Sequence, residues 1–213
     1  MTAPSLTLDQ VFAGSAWLSE YIQHALGASA SLNTRERVTF TLASISLDHR
    51  EAVLLLVRAG ARTSVGSVVR SALESYVGAS WVQYSASDQA LMQFREGRSP
   101  SFEKKVQALR KDHPLGNLFE KLRNLYPTLS DYAHGDVRQV SRWLGPDGVA
   151  PRHSDQEMIE VLRLVDLIGT LACAAREQLA ERPHGNFLQL CFDVLNWDHY
   201  RGEDDSFRDE YYK

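Results

Sequence analysis

The stretch LYPTLSDYAHGDVRQVSRW, residues 125–143, gathers hydroxyl, imidazole, amide and guanidinium groups in a chain that otherwise has the pattern of plain helices. Its chemistry-bearing residues are Ser130, Tyr132, His134, Gln139 and Arg142, with Gly135 directly after the histidine. Histidine exchanges protons near neutral pH, and arginine pairs with phosphate or carboxylate. We therefore expect this stretch to form one wall of a polar site.

A second candidate group lies on a helix predicted between residues 64 and 84. Arg70 and Glu74 are four residues apart, so they share one face of that helix with Trp81. Small and apolar residues flank this face, and a charge buried there must be paired or neutralised. The favoured interpretation is a structural ion pair inside a helical bundle. His49 falls in the apolar pattern of the preceding helix and is interpreted as a core histidine.

Composition limits the class of protein. The 213 residues are 44% hydrophobic and 23% charged, which is ordinary for a soluble globular chain. The net charge is -4 and no block of basic residues stands out, which argues against a broad surface for nucleic acid. No signal peptide is visible, and the most apolar run, residues 52–57, is too short to span a bilayer. We expect a cytoplasmic protein with two buried, reduced thiols, Cys173 and Cys191.

Hydrophobic periodicity and breaker residues predict an all-α helical bundle in a single domain, residues 1–200, followed by an acidic polar tail, residues 201–213. The core stripe of the second helix is predicted as Leu42, Ile45, His49, Ala52 and Leu56. Pro127 predicts a kink or a new helix start. The predicted helices cover residues 8–27, 33–60, 64–84, 87–96, 101–111, 115–125 and 154–181, the last capped by Ser154 and Glu157.

Two segments, residues 49–88 and 129–143, resemble a group of uncharacterised bacterial proteins known only as a domain of unknown function. The resemblance covers about residues 40–180 and rests on an Arg-x-x-x-Glu helix and a Ser-x-Tyr-x-His-Gly motif. The matching positions are His49, Arg70, Glu74, Trp81, Ser130, Tyr132, His134, Gly135, Gln139 and Arg142. The resemblance implies an all-α fold and no particular reaction.

These proteins are also distantly similar to HEPN helical bundles, many of which are metal-independent ribonucleases of toxin–antitoxin and phage-defence systems. The HEPN signature is an arginine, four to six further residues and a histidine. None of the histidines in this sequence has an arginine at that spacing. The resemblance therefore implies the fold more strongly than the nuclease activity.

Three functions are compatible with these residues. The first is a binding or interaction module, in which Arg70, Glu74 and His134 order the bundle or hold a small anionic ligand, with His49, Trp81, Ser130, Tyr132 and Gln139 as further binding candidates. The second is a HEPN-like ribonuclease with RNA as substrate and an antitoxin-like partner protein. There His134 would act as acid or base, and Arg142 or Arg70 would stabilise the phosphorane charge.

The third function, a metallo-hydrolase with His49, Glu74 and His134 as ligands, ranks last because no HExxH or paired-histidine spacing is present. We predict no metal and no cofactor. A homodimer is predicted, either through the small-residue face of the helix at 64–84 or through the long helices.

Overall fold

The computed structural model describes residues 6–25, 31–133, 140–141, 143–145, 148–149 and 153–179. The helices are α1 (Leu8–Ala25), α2 (Thr34–Arg58), α3 (Val65–Tyr84), α4 (Asp88–Arg95), α5 (Phe102–Asp112), α6 (Gly116–Ala133) and α7 (Asp155–Leu179). A 3-10 turn, Arg62–Ser64, precedes α3, and the two-residue strands β1 (Leu144–Gly145) and β2 (Gly148–Val149) pair antiparallel. The predicted all-α bundle is confirmed.

Helices α2 and α7, with 25 residues each, begin directly after the residues that cap them. At the start of α2, the Asn33 side chain accepts from the Glu36 amide while the Glu36 carboxylate accepts from the Asn33 amide. At the start of α7, Ser154 and Glu157 make the same reciprocal pair at 3.2 and 2.9 Å. Each pair satisfies two backbone donors that a helix end leaves without partners, which fixes where the helix begins.

The small residues of α3 make it the central helix. It packs against α2, α5, α6 and α7, and Gly66, Ala72, Gly78 and Ser80 are buried in that packing. A Cβ atom on Gly78 would lie 3.5 Å from Leu42 Cδ1, so the backbones of α2 and α3 approach closely. These four small residues are therefore packed inside the chain, whereas Ser67, Ser71 and Ser75 of the same helix are only partly buried. The homodimer stays a prediction.

The buried face of α2 lies one position away from the predicted stripe. Ile45 is 37% exposed and His49 is only partly buried, so His49 is not a core histidine. The polar residues Ser46 and Arg50 take the interior positions instead. Ser46 Oγ donates to Ala72 O at 2.9 Å, which satisfies the hydroxyl. The buried residues of α2 are Thr39, Ala43, Ser46, Leu47, Arg50, Val53, Leu54 and Val57.

Helix α6 continues through Pro127, so the predicted helix end at residue 125 and the predicted new helix start are wrong. A proline removes one backbone donor from a helix, and a helix held by tertiary packing tolerates that loss. Pro127 itself is exposed, whereas Leu122 and Leu129 on either side of it are buried. Packing of these leucines holds the helix across the proline.

Several predictions fall on residues that the structure does not describe. The end of the domain and the acidic tail, 201–213, are among them, as is Cys191. Cys173 is buried, as predicted. Within the described helices, none is long and apolar enough to cross a membrane.

Candidate functional site

Arg70 and Glu74 of α3 form a cluster with Tyr126 of α6. Arg70 Nε donates to Glu74 Oε1 at 2.9 Å, and Arg70 Nη2 donates to the Tyr126 hydroxyl at 2.9 Å. That hydroxyl donates in turn to Glu74 Oε1 at 2.6 Å. The guanidinium carbon lies 5.0 Å from the centre of the Tyr126 ring, and Phe102 stacks on that ring at 3.9 Å between ring centres.

The electrostatics of this cluster favour a charged arginine and a neutral tyrosine. Burial disfavours the charge of Arg70, but hydrogen bonds and attraction from Glu74 and Tyr126 outweigh it, so the pKa of Arg70 is raised. Burial, followed by the hydrogen bond to Glu74, raises the pKa of Tyr126. Tyr126 is therefore a hydrogen-bond donor at neutral pH. The charge of Arg70 is compensated by Glu74.

Trp81 has a core role. Its side chain is 5% exposed and packs against Phe94 at 6.0 Å between ring centres. The ammonium group of Lys105 lies 5.9 Å from the Trp81 ring and 5.5 Å from the Phe94 ring. Burial lowers the pKa of Lys105, and the nearby Glu74 carboxylate opposes that effect. Trp81 therefore packs α3 against α4, and Lys105 of α5 lies beside both rings.

A cleft of about 340 Å³ opens beside this cluster, between the start of α3, the second half of α6 and the first half of α7. Its apolar surface is supplied by Leu125, Leu129, Met158, Val161 and Leu164, with Gly66 as the α3 contribution. Its polar lining consists of Arg62, Thr128, His153, Glu157 and Glu160. Leu125, Thr128 and Leu129 belong to the stretch 125–143, so the described part of that stretch lines the cleft.

The rim of the cleft is organised by the 3-10 turn and the first turns of α7. Arg62 Nη1 donates to His153 O at 2.8 Å, and Arg62 Nη2 pairs with Asp155 at 2.6 Å. His153 Nδ1 lies 4.0 Å from Glu157 Oε2. Glu160 Oε1 accepts from Gln156 at 3.2 Å. Among the described residues, Asp155 pairs with the positive charge of Arg62, and Glu157 and Glu160 are the carboxylates that line the cleft.

The structure places only part of the predicted site. Ser130 is partly buried near the end of α6, and His49 lies on α2 outside the cluster. The side chain of Tyr132 is outside the described residues, as are His134, Gly135, Gln139 and Arg142. Among the residues that the structure does describe, no group of histidine, cysteine and carboxylate side chains is arranged to hold a metal ion.

The sequence patterns missed a polar network around Arg50, whose side chain is fully buried. Arg50 Nε donates to Asp166 Oδ1 at 2.9 Å, and Arg50 Nη2 lies 2.7 Å from the same oxygen. Arg50 Nη1 donates to Ser19 Oγ at 2.7 Å and to Glu51 Oε1 at 2.5 Å. Ser15 accepts from Arg50 Nη2 through its carbonyl at 2.6 Å and donates from its hydroxyl to Asp166 Oδ2 at 2.6 Å.

This network joins α1, α2 and α7, and it is fully hydrogen-bonded, as a buried charge requires. Two sequence features could have revealed it. Asp166 interrupts an apolar pattern in α7, and Gly169 follows one turn later. A Cβ atom at Gly169 would lie 2.4 Å from Arg50 Cδ, so this glycine leaves the space that the arginine occupies.

Comparison with known proteins identifies the family of this chain. A family model matches residues 43–186, more than half of the chain. The protein belongs to DUF6988. DUF6988 is described as a family of unknown function, so membership assigns no activity. The match to DUF6988 contains the Arg70 cluster, the cleft, and Arg50 with Asp166, but it begins after α1. No curated protein and no solved structure is significantly similar to the chain.

Proposed function

We propose that this DUF6988 protein is a binding module whose ligand occupies the cleft between α3, α6 and α7. The observation that supports the proposal is the cleft itself. Its volume of about 340 Å³ lies at the low end of the range that holds small organic ligands. An apolar surface with a few convergent polar groups is the usual composition of such a site.

The Arg70 cluster has a positioning role in this proposal. Tyr126 lies on α6 beside Leu125 and Leu129, which line the cleft. Its hydroxyl is tied to both Arg70 and Glu74, so the cluster holds that wall against α3. An anion bound at Arg70 would have to compete with Glu74 for the guanidinium. We therefore assign the ligand to the adjoining cleft, whereas the sequence suggested the cluster itself.

The experiment compares the wild type with a variant whose cleft is filled. Val161 lines the cleft and is only partly buried, so Val161→Trp places an indole in it with little disturbance of the core. Val38→Trp is the matched control, because Val38 is also partly buried but lies on α2 outside the cleft. A panel of small organic compounds is screened against all three proteins by ligand-observed NMR.

We expect compounds that bind the wild type and Val38→Trp to lose binding to Val161→Trp. Binding that survives in Val161→Trp, with its helicity retained, would contradict the proposal. The HEPN-like ribonuclease, its antitoxin-like partner and the homodimer stay predictions of the sequence. Cleavage of RNA by the purified protein, lost in His134→Ala, would favour the ribonuclease over the binding module.

A further inference from the structure

We infer that Lys105 of α5 is an acceptor site for small acyl groups, which activated donors of the acyl phosphate class transfer to its Nζ atom. The inference goes beyond the proposed binding function, because Lys105 does not line the cleft. It is carried by the position of the amine, which lies against two aromatic rings and partly out of water.

The amine of Lys105 borders an apolar surface. Its Nζ atom is 5.5 Å from the centre of the Phe94 ring and 5.9 Å from the centre of the Trp81 ring. The side chain is partly buried. The other lysines in the described part of the chain are all exposed, namely Lys104, Lys111 and Lys121. Lys105 therefore differs from them in exchanging part of its hydration for contact with aromatic carbon.

Little in the surroundings of Lys105 supports the charged form of its amine. In the part of the chain that the structure describes, the amine makes no hydrogen bond and no ion pair. Both rings lie near the outer limit of a cation–π contact, about 6 Å, where the attraction is small. Glu74 attracts the ammonium from α3, but its Oε1 atom already accepts from Arg70 at 2.9 Å and from Tyr126 at 2.6 Å. Burial outweighs this attraction, so the pKa of Lys105 is lowered.

Carboxylates on α5 and α6 are paired with an arginine. Arg123 of α6 binds Glu120 at 2.5 Å and lies 3.9 Å from Glu103 of α5. Among the described residues, Glu74 is therefore the carboxylate whose attraction opposes the effect of burial on Lys105.

This setting favours nucleophilic chemistry at the amine. A lysine desolvated on an apolar surface is a stronger nucleophile near neutral pH, because more of it is present as the neutral amine. The neutral amine attacks the carbonyl carbon of the donor. A C–N bond forms, the bond from that carbon to the phosphate oxygen breaks, inorganic phosphate leaves, and the amine proton passes to water. The product is an uncharged amide, so the modification removes a positive charge that Glu74 attracts.

Competitive labelling of the full chain tests the inference, with acetyl phosphate as the probe. The folded protein is acetylated briefly, then unfolded and treated with deuterated acetic anhydride, so that every lysine carries one of two acetyl groups. Mass spectrometry of chymotryptic peptides gives the rate at each lysine, and fragment ions separate Lys105 from Lys104. At pH 7.5 we expect Lys105 to react at least about threefold faster than Lys104, its exposed neighbour.

Variants of α4 locate the cause. Phe94 is only partly buried, so Phe94→Ala exposes the amine of Lys105 with little disturbance of the core. Met92→Ala is the matched control, because Met92 lies on the same helix and is 62% exposed. Phe94→Ala should remove at least half of the excess rate and shift the dependence on pH toward that of Lys104, whereas Met92→Ala should change neither. Glu74→Gln removes the opposing carboxylate and should raise the rate at Lys105 about twofold.

Each outcome decides for or against the inference. Equal rates at Lys105 and Lys104 in the wild type, or a slower Lys105, would overturn it. A faster Lys105 that keeps its rate and its dependence on pH in Phe94→Ala would also contradict it, since burial against the rings would not be the cause. Circular dichroism of each variant checks that the labelled protein is folded. None of these results bears on the cleft, so the proposed function is tested separately.

Discussion

In the core, the Arg50 side chain packs against two residues of α7, Asp166 and Gly169. Asp166 supplies the opposite charge, and Gly169 supplies the space beside the arginine stem. A buried ion pair of this kind is weak evidence for stability, because desolvation offsets most of its attraction. Breaking one partner is costly, however, since it leaves a charge in the core. We therefore expect the network to determine how α2 and α7 pack more than it adds to the free energy of unfolding.

Gly169→Ala tests this fit. In an ordinary helix, alanine is favoured over glycine by about 1 kcal/mol. Here the new Cβ would lie 2.4 Å from Arg50 Cδ and 3.2 Å from Nε, while the end of the side chain is fixed by hydrogen bonds. We expect the free energy of unfolding in urea to fall by about 1–3 kcal/mol, as in other overpacked cores.

The chain supplies the control for that substitution. Gly78 is also a buried helical glycine, but a Cβ atom there would lie 3.5 Å from the nearest side-chain atom, an ordinary contact. Gly78→Ala should therefore leave stability unchanged or raise it slightly. Equal losses in the two variants would contradict the special role of Gly169.

At the scale of elements, one hydroxyl of α6 bonds to both polar residues of the cluster on α3. Tyr126→Phe removes the group that joins Arg70 and Glu74 across the two helices and keeps the ring that stacks on Phe102. We expect a loss of about 1 kcal/mol in the free energy of unfolding, the usual contribution of one hydrogen bond. A double-mutant cycle with Glu74→Gln should give a coupling of at least about 0.5 kcal/mol. Strict additivity would show that the hydroxyl does not couple the helices.

Element positions were predictable because their signals are local. Capping residues and breakers set where α2, α3 and α7 begin, and these starts were predicted within one or two residues. The buried face of α2 was not predictable in this way. Hydrophobic periodicity assigns apolar residues to the interior, but here Ser46 and Arg50 occupy interior positions. Pro127 was misread for a related reason, since tertiary packing overrides a local preference.

The candidate site was predictable only where its residues are neighbours in sequence. The four-residue spacing of Arg70 and Glu74 indicated their ion pair. Tyr126 lies on another helix, 56 residues after Arg70 in the sequence. No local sequence pattern predicts that Tyr126 is the third member of the cluster. The cleft is assembled from three elements, so its shape and its charge appear only when the bundle is folded.

At the scale of the whole molecule, α1 is joined to the rest through polar contacts as well as apolar ones. Ser15 and Ser19 of α1 accept hydrogen bonds from Arg50, although α1 lies before the part of the chain that matches DUF6988. The matched region alone would leave two donor groups of a buried arginine without those partners. The folded unit of this chain therefore includes α1, which the family match omits.

His113, at the end of α5, connects several helices at once. Its ring packs edge-on against Tyr84 of α3 at 4.2 Å and Phe119 of α6 at 4.8 Å, and its Nδ1 accepts from the Leu115 amide at 2.9 Å. Tyr84 in turn donates to Gln178 of α7 at 3.0 Å. Burial lowers the pKa of His113 from 6.5 to about 4, so the folded protein holds this ring neutral.

That shift makes the stability of the molecule depend on pH in a defined direction. Between pH 6.5 and about 4 the unfolded chain binds a proton at His113 that the folded chain does not, so stability is complete above pH 6.5 and falls as the pH drops toward 4. The two pKa values bound the loss at about 3 kcal/mol, and solvent screening of the half-buried ring reduces it to about 1–2 kcal/mol.

Urea unfolding at pH 7.5 and pH 4.5 measures this loss of stability. His113→Asn keeps an acceptor for the Leu115 amide and cannot titrate, so it should lose 1–2 kcal/mol less than the wild type over that interval. Equal losses in the two proteins would show that other groups cause the acid sensitivity.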